Sequence, residues 1–223
     1  SRPLGLLPLV DDQQVRLGDR VSDLDFVELG FTFDRRVEEI GAGTRLIGWF
    51  QSWRYFEQYR DEIRERIRAV ELQSATPVNG PVGPHIAVQV RRGDYLRPRV
   101  RKFHGICSDQ YFLEGVRWIR EQLGSLPAIV YTDDLDFGGE LVAGMEGATV
   151  DVPGPDESAL SVLLRMSHAS AFVISNSSFG WWGAWLAENP RVVIAPDPWF
   201  TNPRMDTRDL LPPGWLVRDR GTG

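Results

Sequence analysis

Cysteine is nearly absent: Cys107 stands alone among 223 residues, which excludes an intramolecular disulfide framework and any multi-cysteine metal site. A reduced compartment fits that usage. Histidine is scarce too, with three residues, at positions 85, 104 and 168, and no two of them have a metal-ligand spacing. No run of about 18 apolar residues could span a bilayer, and the opening SRPLGLLPLVDDQQ lacks the charged-then-apolar layout of a signal peptide. The expectation is a soluble, cytoplasmic protein, free or peripheral at a membrane. The first residue is Ser1 rather than Met, which fits a chain trimmed or processed upstream. There is no basic excess either. A formal net charge of −6 argues against a broad nucleic-acid-binding face, so any grip on phosphate must be local.

What is present is ordinary globular material, 42% hydrophobic and 25% charged, enough to fold and to bury a core. At about 150 residues per domain the length falls between one large domain and two small ones. Residues 1 to 50 mix short apolar pieces with Gly and charge and read as strand and loop. Between Trp53 and Leu72, the residues Phe56, Tyr59, Ile63, Ile67 and Val70 recur every three or four positions, which predicts an amphipathic helix. QSATPVNGPVGP then gathers turn residues and marks a boundary before His85. Beyond it the sequence predicts strands at 85–90, 128–132, 148–152, 171–175 and 191–195. Helices are predicted at 109–123, with Asp109 as N-cap, at 156–168 and at 178–189. That alternation predicts an α/β layer on a mostly parallel sheet, with ligands at the carboxyl ends of its strands.

Three polar groups follow those strand ends: RRGDY at 91–95, TDD at 132–134 and SNSS at 175–178. A parallel sheet brings them to one rim. Arg91 and Arg92 offer planar, permanently charged donors for phosphate. Neighbours in an extended segment face opposite ways, so one reads as a ligand group and the other as a partner of Asp94, and a structural ion pair is the competing reading. SNSS enters a helix whose N-terminal amides and partial positive charge suit phosphate, against plain capping by Ser177 or Ser178. The three tryptophans that follow read mainly as core, with Phe179 or Trp181 near enough to that terminus to border a ligand. Asp134 and Asp136 form a D-x-D pair that could hold a divalent metal. Alternatively Asp133 or Asp134 accepts hydrogen bonds from a ribose, a base or an arginine. His104, in KFHGICS, reads as a donor or proton carrier, or as a structural residue.

Taken together, GWFQSWRYF, VQVRRGDYL, HGICSDQYF, YTDD and DESALSVLLRMSHASAFVISNSSFGWWGAWLAENPRVVIAPDPWF resemble, in order and spacing, the α-1,2-fucosyltransferases of glycosyltransferase family 11. The likeness runs from about Gly48 to Phe200. It implies a GT-B-like α/β architecture of two Rossmann-like domains. Residues 1–80 would form an incomplete, acceptor-side N-terminal domain, and residues 81–223 the more complete C-terminal domain that holds a GDP-sugar. It also implies transfer of L-fucose from GDP-L-fucose to a galactose hydroxyl of a glycan in α-1,2 linkage, with inversion and with no metal or further cofactor.

Carried over residue by residue, the family's His-x-Arg-Arg-x-Asp motif falls on Gln89, Val90, Arg91, Arg92, Gly93 and Asp94. The resemblance thus assigns Arg91, Arg92 and Asp94 to catalysis. Donor binding falls to Gln89, His104, Asp133, Asp134, Ser175, Asn176, Ser177, Ser178 and Phe179. Asp94 is a base by residue type and equally a partner for the arginines. Two positions depart from the pattern: Gln89 stands where the family has His and cannot carry a proton at neutral pH, and Gly180 stands where it usually has Ser. The family's Gly-rich GGLGNQ-type opening is also missing. The competing expectations are a transferase of another nucleotide sugar or acceptor, and a sugar-nucleotide-binding module without catalysis.

Overall fold

The computed structural model describes residues 25–73 and 83–221. The expected boundary at 80/81 lies outside those residues. The described residues group into two compact units, one drawn from Asp25–Gly30 and Asp34–Phe50, the other from Phe31–Phe33 and from Gln51 onward.

In the smaller unit, β1 (Asp25–Val27) pairs in parallel with β2 (Arg45–Ile47). Partnered Asp25 and Arg45 reinforce the register through side-chain bonds of 2.9 and 2.7 Å. A 3-10 turn, Arg35–Glu39, is capped by the Asp34 side chain.

The larger unit is built on a six-stranded sheet, every neighbouring pair parallel: β3 (Ile86–Val90), β4 (Ala128–Thr132), β5 (Ala148–Val150), β6 (Ala171–Ile174), β7 (Val192–Asp197) and β8 (Leu216–Asp219), in the spatial order β5-β4-β3-β6-β7-β8. The α/β class with a Rossmann-like parallel sheet is what forms. β3 and β6 are buried along their whole length, which is why, Gln89 apart, they read as apolar runs rather than alternating ones. The chain builds outward from β3 to β5, then returns to β6 and builds the other way. The switch point of the sheet is therefore the gap between the carboxyl ends of β3 and β6.

Helices cover both faces, because alternate strand residues point to opposite sides. Val88, Val90, Val130 and Val173 pack with α3 (Asp109–Leu123) and α4 (Leu135–Ala143), while Ala87, Phe172, Ile174 and Val193 pack with α5 (Ala159–Ser167) and α6 (Ser178–Leu186). α1 (Arg60–Gln73) starts later than expected, after two 3-10 turns at Trp53–Tyr55 and Glu57–Tyr59. It lays Ile63 and Ile67 on the α6 side of the core. Its side chains from position 70 on, Val70 included, lie outside the described residues. α1 also finishes α6. The last carbonyls of a helix have no partner within it, and here Arg60 donates to the Trp185 carbonyl while Arg64 reaches those of Trp185, Leu186 and Ala187.

Several boundaries differ from the sequence reading. Ser108, not Asp109, caps α3, its hydroxyl accepting from the Tyr111 amide at 3.2 Å. α6 ends at Leu186 rather than 189, before the Glu-Asn-Pro stretch. α2 (Pro98–His104), α4 and the exposed edge strand β8 carry too little apolar periodicity to have been read. No helix among the described residues is long and apolar enough to cross a membrane.

Candidate active site

The switch point is laced by one residue. Ser175, 1% exposed, donates from its amide and its hydroxyl to the Gln89 carbonyl at 2.9 and 3.0 Å, and its Oγ accepts the Arg91 amide at 2.9 Å. Its hydroxyl is thus engaged in joining β3 to β6. Asn176, also 1% exposed, is a bracket of the same kind. Its Nδ2 donates to the carbonyls of His104 and Trp199 at 2.7 and 2.9 Å, and its own carbonyl accepts the Tyr95 hydroxyl at 3.0 Å. Among the expected donor-binding residues, these two hold loops in place through their side chains and leave none of those groups for a ligand.

Both arginines face carboxylates. Arg91 pairs with Asp94, and its Nη1 lies 2.6 Å from Asp133 Oδ2. Arg92 Nε lies 3.1 Å from Asp134 Oδ2, and its guanidinium stacks 3.9 Å over the Phe137 ring. Asp133 Oδ1 additionally accepts the Arg92 and Gly93 amides at 2.8 and 3.2 Å. A Cβ on Gly93 would sit 2.6 Å from Asp133 Oδ2, so a side chain there would displace this carboxylate. Of the open readings for Asp133 and Asp134, acceptance from the arginines is the one observed. Asp134 is also the N-cap of α4, accepting the Phe137 amide at 3.1 Å, with Asp136 in the first helical turn. The D-x-D pair is therefore a helix start. Among the described residues no group of three or more His, Cys, Asp or Glu is arranged to hold a metal. The rim thus sets two guanidinium groups against three carboxylates, with every one of these side chains still 22–29% exposed.

Opposite this cluster stands the start of α6. Ser177 occupies the N-cap position but makes no side-chain cap bond, so ordinary capping by its hydroxyl does not occur. The amide end of α6, exposed Ser178 and half-buried Phe179 are presented at the rim, the arrangement that favours an anion. Trp181 is core, not border. It is 4% exposed and its Nε1 donates to the Leu210 carbonyl at 2.9 Å.

Gln89 meets Gly180 directly. Gln89 is 4% exposed, its Oε1 has no hydrogen-bond partner among the described residues, and a Cβ on Gly180 would fall 2.5 Å from that oxygen. The two positions at which this chain leaves the family pattern are one packing arrangement, in which the Gln89 carboxamide fills space that a side chain at 180 would need.

His104 lies beside the cluster, its ring stacked on Tyr95 at 4.6 Å and packed against Phe103 and Phe200. Both ring nitrogens are buried without a hydrogen-bond partner among the described residues. Burial pulls its pKa down to about 4; nearby Asp94 opposes this, while Arg220 and Arg91 add to it. The ring is therefore neutral near pH 7. Sequence reasoning missed Tyr95, which packs under Arg91 with their centres 5.6 Å apart. It also missed Arg220, 7% exposed, which donates to the His104 carbonyl. Tyr95 adjoins the motif and could have been found; nothing in the sequence around Arg220 signals a role.

Comparison with known proteins identifies the family. The profile of Glycosyl transferase family 11 matches residues 39–218. An alpha-1,2-colitosyltransferase of Escherichia coli is 31% identical over 78% of this chain and 62% of its own length. Galactoside alpha-(1,2)-fucosyltransferase 2 of Sus scrofa is 27% identical over 70% of this chain and 49% of its own. The chain thus spans about half to three-fifths of these curated relatives. Among solved structures, POFUT1 in complex with GDP-fucose aligns over 60% of this chain and 46% of that one, at 18% identity and a TM-score of 0.37, a likeness too loose to position a ligand.

Proposed function

This chain belongs to glycosyl transferase family 11, and on that premise we propose that it transfers L-fucose from GDP-L-fucose to a galactose hydroxyl of a glycan in α-1,2 linkage, with inversion and without a metal. The observation that carries the reading is the pairing, across one switch point, of two arginines with a helix N-terminus whose cap makes no side-chain bond. Departure of a nucleoside diphosphate concentrates negative charge on its phosphates, and donors already in place stabilise that charge most. Arg91, Arg92 and the amides opening α6 are such donors.

In the resting arrangement Arg91 is held by Asp94 and Asp133. A diphosphate competes for the same guanidinium, and Asp94 is released by that exchange. A freed Asp94 carboxylate is then able to accept the proton of the attacking hydroxyl. Donor binding and base activation are one event in this scheme. A second reading, transfer of colitose rather than fucose, is favoured by the 31% identity to the colitosyltransferase.

The test measures GDP affinity, and transfer to a galactoside from GDP-fucose, GDP-colitose and UDP-sugars, for the protein and for Arg91→Met and Arg92→Met. One charge-assisted hydrogen bond is worth about 1.5–3 kcal/mol, so each replacement is expected to weaken GDP binding roughly 10- to 100-fold and to abolish turnover. Tighter binding of UDP than GDP, or arginine variants that bind GDP unchanged, would refute the reading. GDP binding with neither hydrolysis nor transfer of either GDP-sugar would identify a non-catalytic module.

A further inference from the structure

Past β2 the chain turns through Gly48, Trp49 and Phe50, and the smaller unit fixes this turn tightly. Glu28, just beyond β1, receives the amides of both Trp49 and Phe50 on its Oε2, each at 2.8 Å. Its own amide continues the strand pairing by donating to the Ile47 carbonyl at 2.9 Å. Gly48 makes the approach possible, since a Cβ there would lie 2.5 Å from Glu28 Cβ. Phe50 has φ 47°, a left-handed conformation that a non-glycine residue adopts at a cost. Glycine at the close approach, a carboxylate on two successive amides and a left-handed phenylalanine all constrain the same three residues. What they present is the Trp49 indole, 43% exposed.

The Phe50 ring packs 6.1 Å from the buried Phe26 ring, which anchors the turn; the exposed Trp49 indole is not accounted for by that packing. Strain of this kind persists where surrounding structure enforces it, commonly at ligand sites. An indole has a broad apolar face suited to the C–H face of a pyranose, and it loses little side-chain freedom on binding.

We propose that Trp49, braced by Glu28, Gly48 and Phe50, is the stacking platform for a pyranose ring of the acceptor glycan. The inference rests on the glycosyl-transfer reading, but its test separates the two. Methyl β-galactoside and lactose are titrated against the GDP-loaded protein and its Trp49→Phe and Trp49→Ala variants by saturation-transfer NMR, with GDP affinity measured in parallel. A glycan array probed with the same three proteins covers other acceptors. A flat ring lost from a stack corresponds to about tenfold in affinity. Trp49→Ala is therefore expected to weaken glycan binding about tenfold, Trp49→Phe by a few-fold, and GDP binding by nothing measurable.

Glycan binding unchanged in Trp49→Ala overturns the proposal. So does a wild-type protein that retains GDP but no sugar probe and no arrayed glycan, and so does a loss of GDP affinity matching any loss of glycan. Absent GDP binding in the wild type refutes the transfer reading instead, and the array alone then decides Trp49.

Discussion

A methyl group added at position 180 tests whether Gln89 and Gly180 form a single arrangement. In Gly180→Ala the new Cβ would lie 2.5 Å from Gln89 Oε1, 3.1 Å from its Cδ and 3.2 Å from Ile174 Cβ. Gln89 must yield, and at 4% exposure it has little room to do so. Overpacking of this kind costs about 1–3 kcal/mol. Exchange of glycine for alanine in a helix returns about 1 kcal/mol, leaving a net loss near 1 kcal/mol. In a Gln89→Ala background the obstructing carboxamide is gone and only the Ile174 contact opposes the change, so the same substitution is expected to stabilise by roughly 0.5 kcal/mol. The cycle therefore predicts a coupling of about 1.5 kcal/mol, well inside the range for residues in contact. Urea unfolding of the four proteins, with matched slopes, measures it. If Gly180→Ala has the same effect in both backgrounds to within about 0.5 kcal/mol, the two residues are independent and the structural argument fails.

Stability is expected to depend on pH through His104, whose pKa lies near 4 in the folded protein because of burial, against the usual 6.5. The unfolded chain takes up that proton first, so stability is complete above pH 6.5 and declines as pH falls toward 4, by on the order of 3 kcal/mol. Urea midpoints at pH 7.5 and 5 check this; His104→Phe should remove most of the decline, and buried His85, shifted the same way, should account for part of what is left. Arg165, its side chain 8% exposed, bridges Asp151 at 2.7 Å and also pairs with Glu157. Arg165→Met strands two part-buried carboxylates and is expected to cost about 2–4 kcal/mol, read as a lowered melting temperature, whereas Glu157→Gln costs far less.

Much of the sheet was legible because strands buried on both faces are largely apolar, Gln89 in β3 being the exception. Ile86–Val90 and Ala171–Ile174 could hardly be read otherwise. α4 was not legible. Its first residues look like an acidic metal motif, and only the hydrogen bond from the Phe137 amide to Asp134 reveals a cap. β8 is exposed at every position and owes its existence to pairing with β7, which no local pattern records. At the site, the types and the rim location of Arg91, Arg92, Asp133 and Asp134 could be read from the strand ends. Their mutual pairing was one of several open readings there, since it depends on which way adjacent side chains turn. Ser175 and Asn176 looked like ligand groups because hydroxyl and amide chemistry serves a loop bracket and a phosphate equally well. Gln89 and Gly180 are 91 positions apart in sequence, so their contact needs the fold.

On the proposed transfer reading, the neutralised rim also bears on how a donor arrives. Two guanidiniums enclosed by three carboxylates cast little positive field beyond a Debye length of about 8 Å at physiological salt. The net charge of −6 on the chain adds no long-range attraction for an anion. Capture is then governed by fit at short range. A free phosphate ion, offering few contacts, gains little by displacing Asp94 or Asp133, whereas a ligand with a base, a sugar and two phosphates can offset that exchange. On that reading the acidic partners set a threshold, shielding the arginines from small anions until a ligand of sufficient size and charge engages them.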